Sequence, residues 1–262
     1  MLNRRVWTRQ PQGVVPADPF WLSNGLVALV NGATNADHVS GRLCTIVGSG
    51  TTVNSDGVSP AFAGASYLST PVTGVSGVAH TMIAVQYVSS YSSNRIICGL
   101  GDSGTSTNVS EIYVSTFGFL NYLDIASGSV AQVLGATSVA VNTRYVFAVV
   151  SRQTTLRETY RNGVFESSIN TSLAFPTNLN TFNVGVERYN GSLAGYFVGS
   201  IPIAAVFNRA LTAAEIASIS ANPWQLFAPL SRPVFAPSAA VVGGWKGAWG
   251  SKQTRNIGTG VK

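Results

Sequence analysis

The acidic side chains are the first candidates for chemistry in this sequence. Hydrolysis of a glycosidic bond with retention of configuration needs two carboxyl groups about 5 Å apart. Glu158 and Glu166 flank the Asn-Gly pair at 162–163, which is typical of a β-hairpin turn, so they are predicted to lie across from each other. Arg157 and Arg161 stand beside them in the sequence. We therefore predict a solvated, charge-balanced hairpin surface here and no enzymatic activity.

Patterns for metal binding and nucleophilic catalysis are weak. Calcium needs clustered oxygen ligands, whereas the aspartates considered for it are far apart in the sequence: Asp37, Asp56, Asp102 and Asp124. Asp102 lies in a Gly-Asp-Ser-Gly segment and is predicted to bond its own backbone in a turn. The two histidines, His38 and His80, have no cysteine at zinc-binding spacing. Residue counts leave a Ser-His-Asp triad open, but no G-x-S-x-G elbow is present. We predict no metal and no cofactor.

Sugar binding is the chemistry that the sequence leaves most open. Such sites need aromatic platforms with a few amides or hydroxyls on loops. Five residues of these types are the candidates: Trp21, Tyr91, Tyr122, Tyr189 and Asn190. Each of them alone is better explained as part of the core or rim of a β-sandwich. The hypothesis that remains is that one loop cluster binds a glycan.

The elements that would position these residues are mostly strands. We count at least ten predicted strands at fairly regular spacing, among them 111–120 and 122–125, and residues 80–88 alternate well between two faces. One helix is predicted near 212–220, because Thr212 and Glu215 have the spacing of a capping box. Asn222-Pro223 ends it. This pattern predicts an all-β fold, a two-sheet antiparallel jelly-roll sandwich with one short helix.

Six segments in order resemble one known family. Residues 193–224 contain a strand followed by F-N-R-A-L-T-x-x-E-I, which resembles the closing segment of laminin-G-like, concanavalin A-like jelly-roll domains. The other segments that resemble this family are 24–29, 62–68, 80–87, 160–163 and 182–185. The resemblance covers roughly residues 20–227 and implies the sandwich fold. Some members of this family are glucanases with an E-x-D-x-x-E-like strand motif, and no predicted strand here carries such a motif.

The two ends of the chain resemble the flanks of such domains in bacteriophage structural proteins. The segments concerned are 6–13 and 222–229. We predict an N-terminal arm at 1–19, the jelly-roll domain at 20–227 and a Pro/Gly-rich basic arm at 228–262. The arm residues predicted to bind partners are aromatic or basic: Arg4, Arg5, Trp7, Arg9, Phe235, Trp245, Lys246, Trp249, Lys252 and Arg255.

Composition is consistent with a protein that works in an assembly. Hydrophobic residues make up 45% of the 262 and charged residues only 10%, which leaves a large core and a weakly repulsive surface. The net charge of +6 is concentrated at the ends, with +3 in residues 1–9 and +5 in residues 232–262. Such ends could bind an acidic protein surface or, as a less favoured partner, nucleic acid, and they are explained about equally well as charges that keep the chain soluble. No apolar run is long enough for a membrane helix, and no secretory signal is apparent at the start.

The function predicted from the sequence is therefore structural. The chain is expected to be a non-enzymatic bacteriophage virion protein, in capsid decoration or associated with the tail or a fibre. It would assemble in the host cytoplasm with other virion proteins through its arms, as a homo-oligomer. The alternative is a glycan-binding module for host attachment on the same fold. A glycoside hydrolase is the least favoured hypothesis.

Overall fold

The computed structural model describes residues 24–32, 34–48, 52–53, 60–63, 66–104 and 107–227, with only the backbone described at 52–53 and 60–63. All of them belong to the first of the two units into which the chain divides, Met1–Leu230 and Ser231–Lys262. The predicted arms at 1–19 and 228–262, with every partner-binding residue named above, lie outside the described residues. Those assignments stay predictions.

The described residues form nineteen strands, one α-helix and one 3₁₀ helix. The first nine strands are β1 (Leu26–Asn31), β2 (Ala36–Asp37), β3 (Arg42–Leu43), β4 (Thr45–Val47), β5 (Thr52–Val53), β6 (Pro60–Ala63), β7 (Tyr67–Pro71), β8 (His80–Val88) and β9 (Arg95–Gly101). The next ten are β10 (Val109–Val114), β11 (Phe119–Ala126), β12 (Ser129–Ser138), β13 (Arg144–Gln153), β14 (Leu156–Arg161), β15 (Val164–Asn170), β16 (Thr181–Val184), β17 (Glu187–Tyr189), β18 (Ser192–Ala194) and β19 (Val198–Phe207). Helix α1 spans Ala213–Ala221, and the 3₁₀ helix spans Pro223–Phe227.

Two antiparallel sheets make up the sandwich. The ten-stranded sheet has the order β15-β14-β13-β8-β19-β1-β2-β3, with β6 on β19 and β5 on β6. The seven-stranded sheet has the order β12-β11-β10-β9-β16-β7-β4, and β17 with β18 forms a separate hairpin. Neighbours in each sheet are often far apart in the chain, as where β8 pairs with β13 and β19. The predicted all-β, two-sheet jelly roll is confirmed.

The main core lies between the two sheets, where alternate side chains from each sheet meet. Side chains of both sheets in this core are fully buried, among them Met82, Ala84, Phe147, Leu100, Ile112 and Phe182. Cys98 is one of these buried residues and is a free cysteine. Burial of this apolar surface is the largest favourable contribution to folding.

Helix α1 covers the outer face of the ten-stranded sheet. Its buried residues Ile216 and Ile219 pack in one cluster with Ile83 of β8 and Phe207 of β19. The predicted helix and its capping box are confirmed: the Thr212 hydroxyl accepts a bond from the Glu215 amide, and the Glu215 carboxylate accepts one from the Thr212 amide. The seven-stranded sheet therefore differs from its partner, since no helix in the described part of the chain packs on its outer face.

Several predicted strands have the bounds that the sequence indicated, but one region does not. Residues 80–88 form β8 as predicted, and the turn at 162–163 has positive φ at both residues. A strand was expected over 111–120, whereas the structure has β10, a turn at 115–118 and then β11. Strand β12 was not predicted at all. Among the described residues we find no helix long and apolar enough to span a bilayer.

Candidate binding pocket on the seven-stranded sheet

The outer face of the seven-stranded sheet carries a row of side chains on three neighbouring strands. Tyr113 of β10 pairs with Asn121 of β11, which in turn pairs with Leu134 of β12. Directly paired residues of antiparallel strands project to the same face. Ile112 and Tyr122, the chain neighbours of Tyr113 and Asn121, lie in the inter-sheet core. Because side chains alternate along a strand, the row points away from that core.

The turn between β10 and β11 places an exposed aromatic beside this row. Its backbone is fixed by a bond from the Ser115 amide to the Phe119 carbonyl (2.9 Å) and another from the Gly118 amide to the Ser115 carbonyl (2.8 Å). The ring of Tyr91 lies against Gly118, where an added Cβ would be 3.0 Å from the ring. Phe117, at the tip, is 78% exposed. These contacts fix the backbone of the turn that carries Phe117.

A pocket of about 410 Å³ opens where the row meets the turn. Its aromatic and aliphatic walls are Tyr113, Phe117, Phe119 and Leu134. Its amides, hydroxyls and remaining backbone come from Asn94, Ser115, Thr116, Asn121, Gln132 and Gly135. None of these ten residues carries a formal charge at pH 7. The pocket therefore offers apolar surface together with neutral hydrogen-bonding groups.

The polar groups of the pocket are held in place by one another. The Gln132 side-chain amide donates to the Tyr113 hydroxyl, and the Asn121 Oδ1 accepts from the Gly135 amide at 3.2 Å. Burial raises the pKa of Tyr113, against the opposing effect of hydrogen bonds from Gln132 and Asn121. The hydroxyl is therefore neutral at physiological pH. Since it accepts from amides, its own proton is available to an acceptor in the pocket.

Two carboxyl groups lie close to the pocket without lining it. Glu111 precedes Tyr113 by two residues on β10 and so projects to the same face. It is only 2% exposed, and its Oε2 has no hydrogen-bond partner among the described residues. Burial, together with the charge of Glu187 on β17, raises the pKa of Glu111 well above its ordinary value. Burial also raises the pKa of Glu187.

Replacing Glu111 with glutamine should make the protein more stable at pH 8 but not at pH 4. A carboxyl whose pKa is raised by folding binds its proton more tightly in the folded state, so its stabilising contribution is complete below the unfolded value of 4.5. That contribution is lost as the pH rises through the raised folded value. Glu111→Gln keeps the shape and removes the buried charge. Urea unfolding of both proteins between pH 4 and pH 8 measures the difference.

Glu158→Gln is the matched control for this experiment. Glu158 accepts a bond from Arg152 at 2.7 Å and is partly exposed. Removing its charge breaks an ion pair, and such partly exposed pairs contribute about 1 kcal/mol or less. The control should therefore be equal to or less stable than the wild type at pH 8. If the free energy of unfolding of Glu111→Gln changes with pH in parallel with that of the wild type, the raised pKa of Glu111 is contradicted.

A separate polar cluster is buried between the sheets. The imidazole Nε2 of His80 lies 2.7 Å from Ser110 Oγ, and the Tyr122 hydroxyl lies 3.1 Å from the same oxygen. Tyr122 donates to Asp124 Oδ1 at 2.9 Å, and Arg157 Nε donates to Asp124 Oδ2 at 3.0 Å. All five side chains are fully buried. Because His80 and Arg157 belong to one sheet and the others to its partner, the cluster joins the two sheets.

This cluster contains a serine, a histidine and an aspartate but is not arranged as a catalytic triad. In a triad the aspartate accepts from Nδ1 while Nε2 faces the serine. Here the His80 Nδ1 bonds the Val78 carbonyl at 3.1 Å, and Asp124 lies 4.0 Å from Nε2, on the serine side. Ser110 is fully buried and cannot meet a substrate. The triad that residue counts left open is therefore wrong for these residues.

A family model agrees with the fold and covers the pocket. The model of the concanavalin A-like lectin/glucanases superfamily, in its laminin-G subgroup, matches residues 62–217, which is more than half of the chain. The chain belongs to the concanavalin A-like lectin/glucanase superfamily. No curated protein matches the sequence. The bacteriophage origin inferred from the chain ends concerns residues outside this match and stays a prediction.

Several solved structures resemble this chain at low sequence identity. Domain 4 of AbnA, an extracellular GH43 arabinanase from Geobacillus stearothermophilus solved with arabinotriose, is 16% identical with a TM-score of 0.57, covering 74% of this chain and 98% of that one. The binding domain of botulinum neurotoxin serotype D is 11% identical with a TM-score of 0.57, covering 75% and 51%. The CBM40 of the Ruminococcus gnavus IT-sialidase, bound to α2,3-sialyllactose, is 14% identical with a TM-score of 0.49, covering 55% and 84%.

The concanavalin A-like fold places the five predicted sugar-binding residues in different environments. Tyr122 is fully buried and bonded to Asp124, so its assignment to a glycan site is wrong. Tyr91 is partly buried against the main core and supports the Phe117 turn without lining the pocket. Tyr189 and Asn190 belong to the β17–β18 hairpin, with Asn190 exposed at its turn. Trp21 lies outside the described residues.

The predicted charged hairpin is only partly confirmed. Arg161 and Glu166 form an ion pair at 3.8 Å, and Glu158 pairs with Arg152 rather than with a hairpin neighbour. Arg157 was expected on the solvated surface, but it is fully buried. Its guanidinium bonds Asp124 and also the carbonyls of Thr154 and Leu173, at 2.7 and 2.8 Å. The buried carboxylate explains why the strand turns this side chain inwards.

The aspartates considered for calcium are engaged in structural bonds. Asp37 accepts from the Leu29 and Val39 amides at 3.0 and 3.1 Å. Asp102 accepts from the Gly104 amide at 3.0 Å, which confirms its predicted turn role. Asp56 lies outside the described residues. No group of three or more metal-ligating side chains is found in the described ranges, and the absence of a metal requirement stays a prediction.

Proposed function

We propose that this domain is a non-catalytic carbohydrate-binding module whose site is the pocket at the β10–β11 turn. The observation that supports this proposal is the composition of the pocket, which is lined by three aromatic rings and three side-chain amides. The C–H faces of a sugar pack on aromatic rings, and its hydroxyls bond amides and hydroxyls. A volume of about 410 Å³ lies within the usual range for small-molecule sites. The arabinanase domain of similar fold was solved with arabinotriose.

The positions of the carboxyl groups favour binding without hydrolysis. A glycosidase needs two carboxyl groups on either side of the scissile bond. None of the residues lining this pocket is acidic. Glu111 and Glu187 are near it, but Glu111 is buried in the sheet. That the protein belongs to a bacteriophage virion, with its two arms bound to other subunits, stays a prediction. In such a virion the module would serve attachment.

The test is to remove the exposed ring and measure glycan binding. We expect Phe117→Ala to weaken binding roughly tenfold or more, since a stacked aromatic contributes about 1 kcal/mol beyond its buried area. The wild type is first screened on a glycan array, and the best binder is then titrated by calorimetry. Phe117 is 78% exposed and sits on a turn, so the variant should fold normally.

Two further variants make this test specific. Phe165→Ala removes another exposed phenylalanine, 52% exposed on β15 of the other sheet, and should bind as the wild type does. Tyr113→Phe removes only the hydroxyl that accepts from Gln132 and should weaken binding while the fold is kept. If Phe117→Ala and Phe165→Ala bind equally well, the pocket is not the site.

A further inference from the structure

We infer that the pocket selects uncharged saccharides over those carrying sialic or uronic acid, an inference that rests on the proposed function. The polar groups that line it are three amides and three hydroxyls, from Asn94, Asn121, Gln132, Tyr113, Ser115 and Thr116. Each of these can donate to or accept from a sugar hydroxyl without any change in charge. A neutral ligand therefore leaves no buried charge uncompensated.

A carboxylate in this pocket would meet no positive side chain among the described residues that line it. Taking a carboxylate out of water is costly unless a cation or several donors meet it. Arg95 follows the lining residue Asn94, but its guanidinium donates to the Tyr196 carbonyl at 2.9 Å and to the Ser90 carbonyl at 3.3 Å. The guanidinium of Arg95 is therefore already engaged in hydrogen bonds to the backbone. No arginine or lysine is among the ten lining residues.

Two acidic side chains also lie near the pocket. Glu111 projects to the same face as Tyr113, two residues along β10. Glu187 lies on β17, which packs against both β9 and β10. Both carboxyl groups act electrostatically on the Tyr113 hydroxyl. When ionised, they repel an anionic ligand, and the repulsion is largest in a site from which water has been displaced.

The experiment compares neutral and acidic saccharides on the full-length chain. Neutral oligosaccharides, including lactose and arabinotriose, are arrayed beside sialylated or uronic-acid-bearing counterparts such as α2,3-sialyllactose. We expect the neutral member of a pair to bind more tightly by about tenfold or more, because removing an unpaired carboxylate from water is costly. Calorimetric titration of the best pair, with wild type and Phe117→Ala, checks that the signal comes from the pocket.

Each outcome decides between the two proposals. A neutral preference that is lost in Phe117→Ala supports both. A preference for the acidic members that is lost in Phe117→Ala overturns this inference and leaves the carbohydrate-binding function standing. Binding to neither class, or binding that Phe117→Ala does not change, overturns both. Gln132→Arg adds the missing cation and should shift the preference towards the acidic members, which a purely steric selection would not do.

Discussion

Asp124→Ala is expected to lower the free energy of unfolding by roughly 3–5 kcal/mol, because it removes one partner of a buried ion pair. The carboxylate of Asp124 is fully buried and accepts bonds from Arg157, Ser151 and Tyr122 at 3.0, 3.0 and 2.9 Å. The variant leaves the Arg157 guanidinium buried without a negative charge beside it, although its bonds to backbone carbonyls remain. It also breaks bonds that join the two sheets.

Urea unfolding monitored by circular dichroism measures this loss of stability, and two further variants are compared with Asp124→Ala. Asp102→Ala removes the same side chain from a turn where it accepts solvent-exposed bonds from the Gly104 amide and the Asn180 side chain, and exposed bonds contribute about 1 kcal/mol or less. Asp124→Ala combined with Arg157→Met replaces the pair with apolar groups and should recover part of the loss. If Asp124→Ala costs no more than Asp102→Ala, the ion pair does not hold the sheets together.

The buried cluster and the proposed binding pocket share one strand. Asn121 and Tyr122 are consecutive residues of β11, and they project to opposite faces, the first into the pocket and the second into the cluster. The pocket floor is therefore backed by side chains with fixed hydrogen bonds. Such support favours a preorganised site, which reduces the entropy lost when a ligand binds.

Local signals in the sequence predicted much of the fold. Thr212 and Glu215 have the spacing of a capping box, and the helix begins there because both bonds form. Alternation over 80–88 predicted β8 with the bounds that the structure has. Each of these features depends on side chains within a few residues of one another, so the sequence contains the necessary information.

The candidate pocket was not predicted, because it depends on which side of a strand faces the core. In β11, Leu120, Tyr122 and Asp124 point inwards, while Asn121 and Leu123 point outwards. Each of these two alternating sets contains both apolar and polar residues, so alternation does not show which set faces the core. Tyr122 was therefore chosen as a surface residue although it is buried. Asn121, one position earlier, lines the pocket.

A turn signal could have found the other half of the pocket. Residues 115–118 are Ser-Thr-Phe-Gly, and a glycine after polar residues is a common turn ending. With that turn, Phe117 becomes an exposed tip residue, and β12 becomes the next strand in line. The pairing of Asp124 with Arg157, 33 residues away in the chain, had no such local signal, because it is decided by how the two sheets stack.

Gly199→Ala is expected to cost about 3 kcal/mol or more, from backbone strain of roughly 1–3 kcal/mol and a steric clash of similar size. Gly199 has φ +145 on β19, where it pairs with Val88 of β8. A Cβ at this position would overlap the Tyr87 carbonyl oxygen and lie 3.0 Å from the Phe197 ring. Because β19 is a central strand of the ten-stranded sheet, the backbone there has little room to move.

Gly128→Ala separates the strain from the clash. Gly128 has φ +83 in the turn between β11 and β12, and an added Cβ would meet no atom within 4 Å. This control should therefore show only the cost of placing a side chain in the left-handed region, about 1–2 kcal/mol. Both variants are compared by urea unfolding at pH 7, with linear extrapolation to water. Equal losses would mean that β19 shifts to accept the methyl group, and the close approach of β8 and β19 at Gly199 would then not be required for the fold.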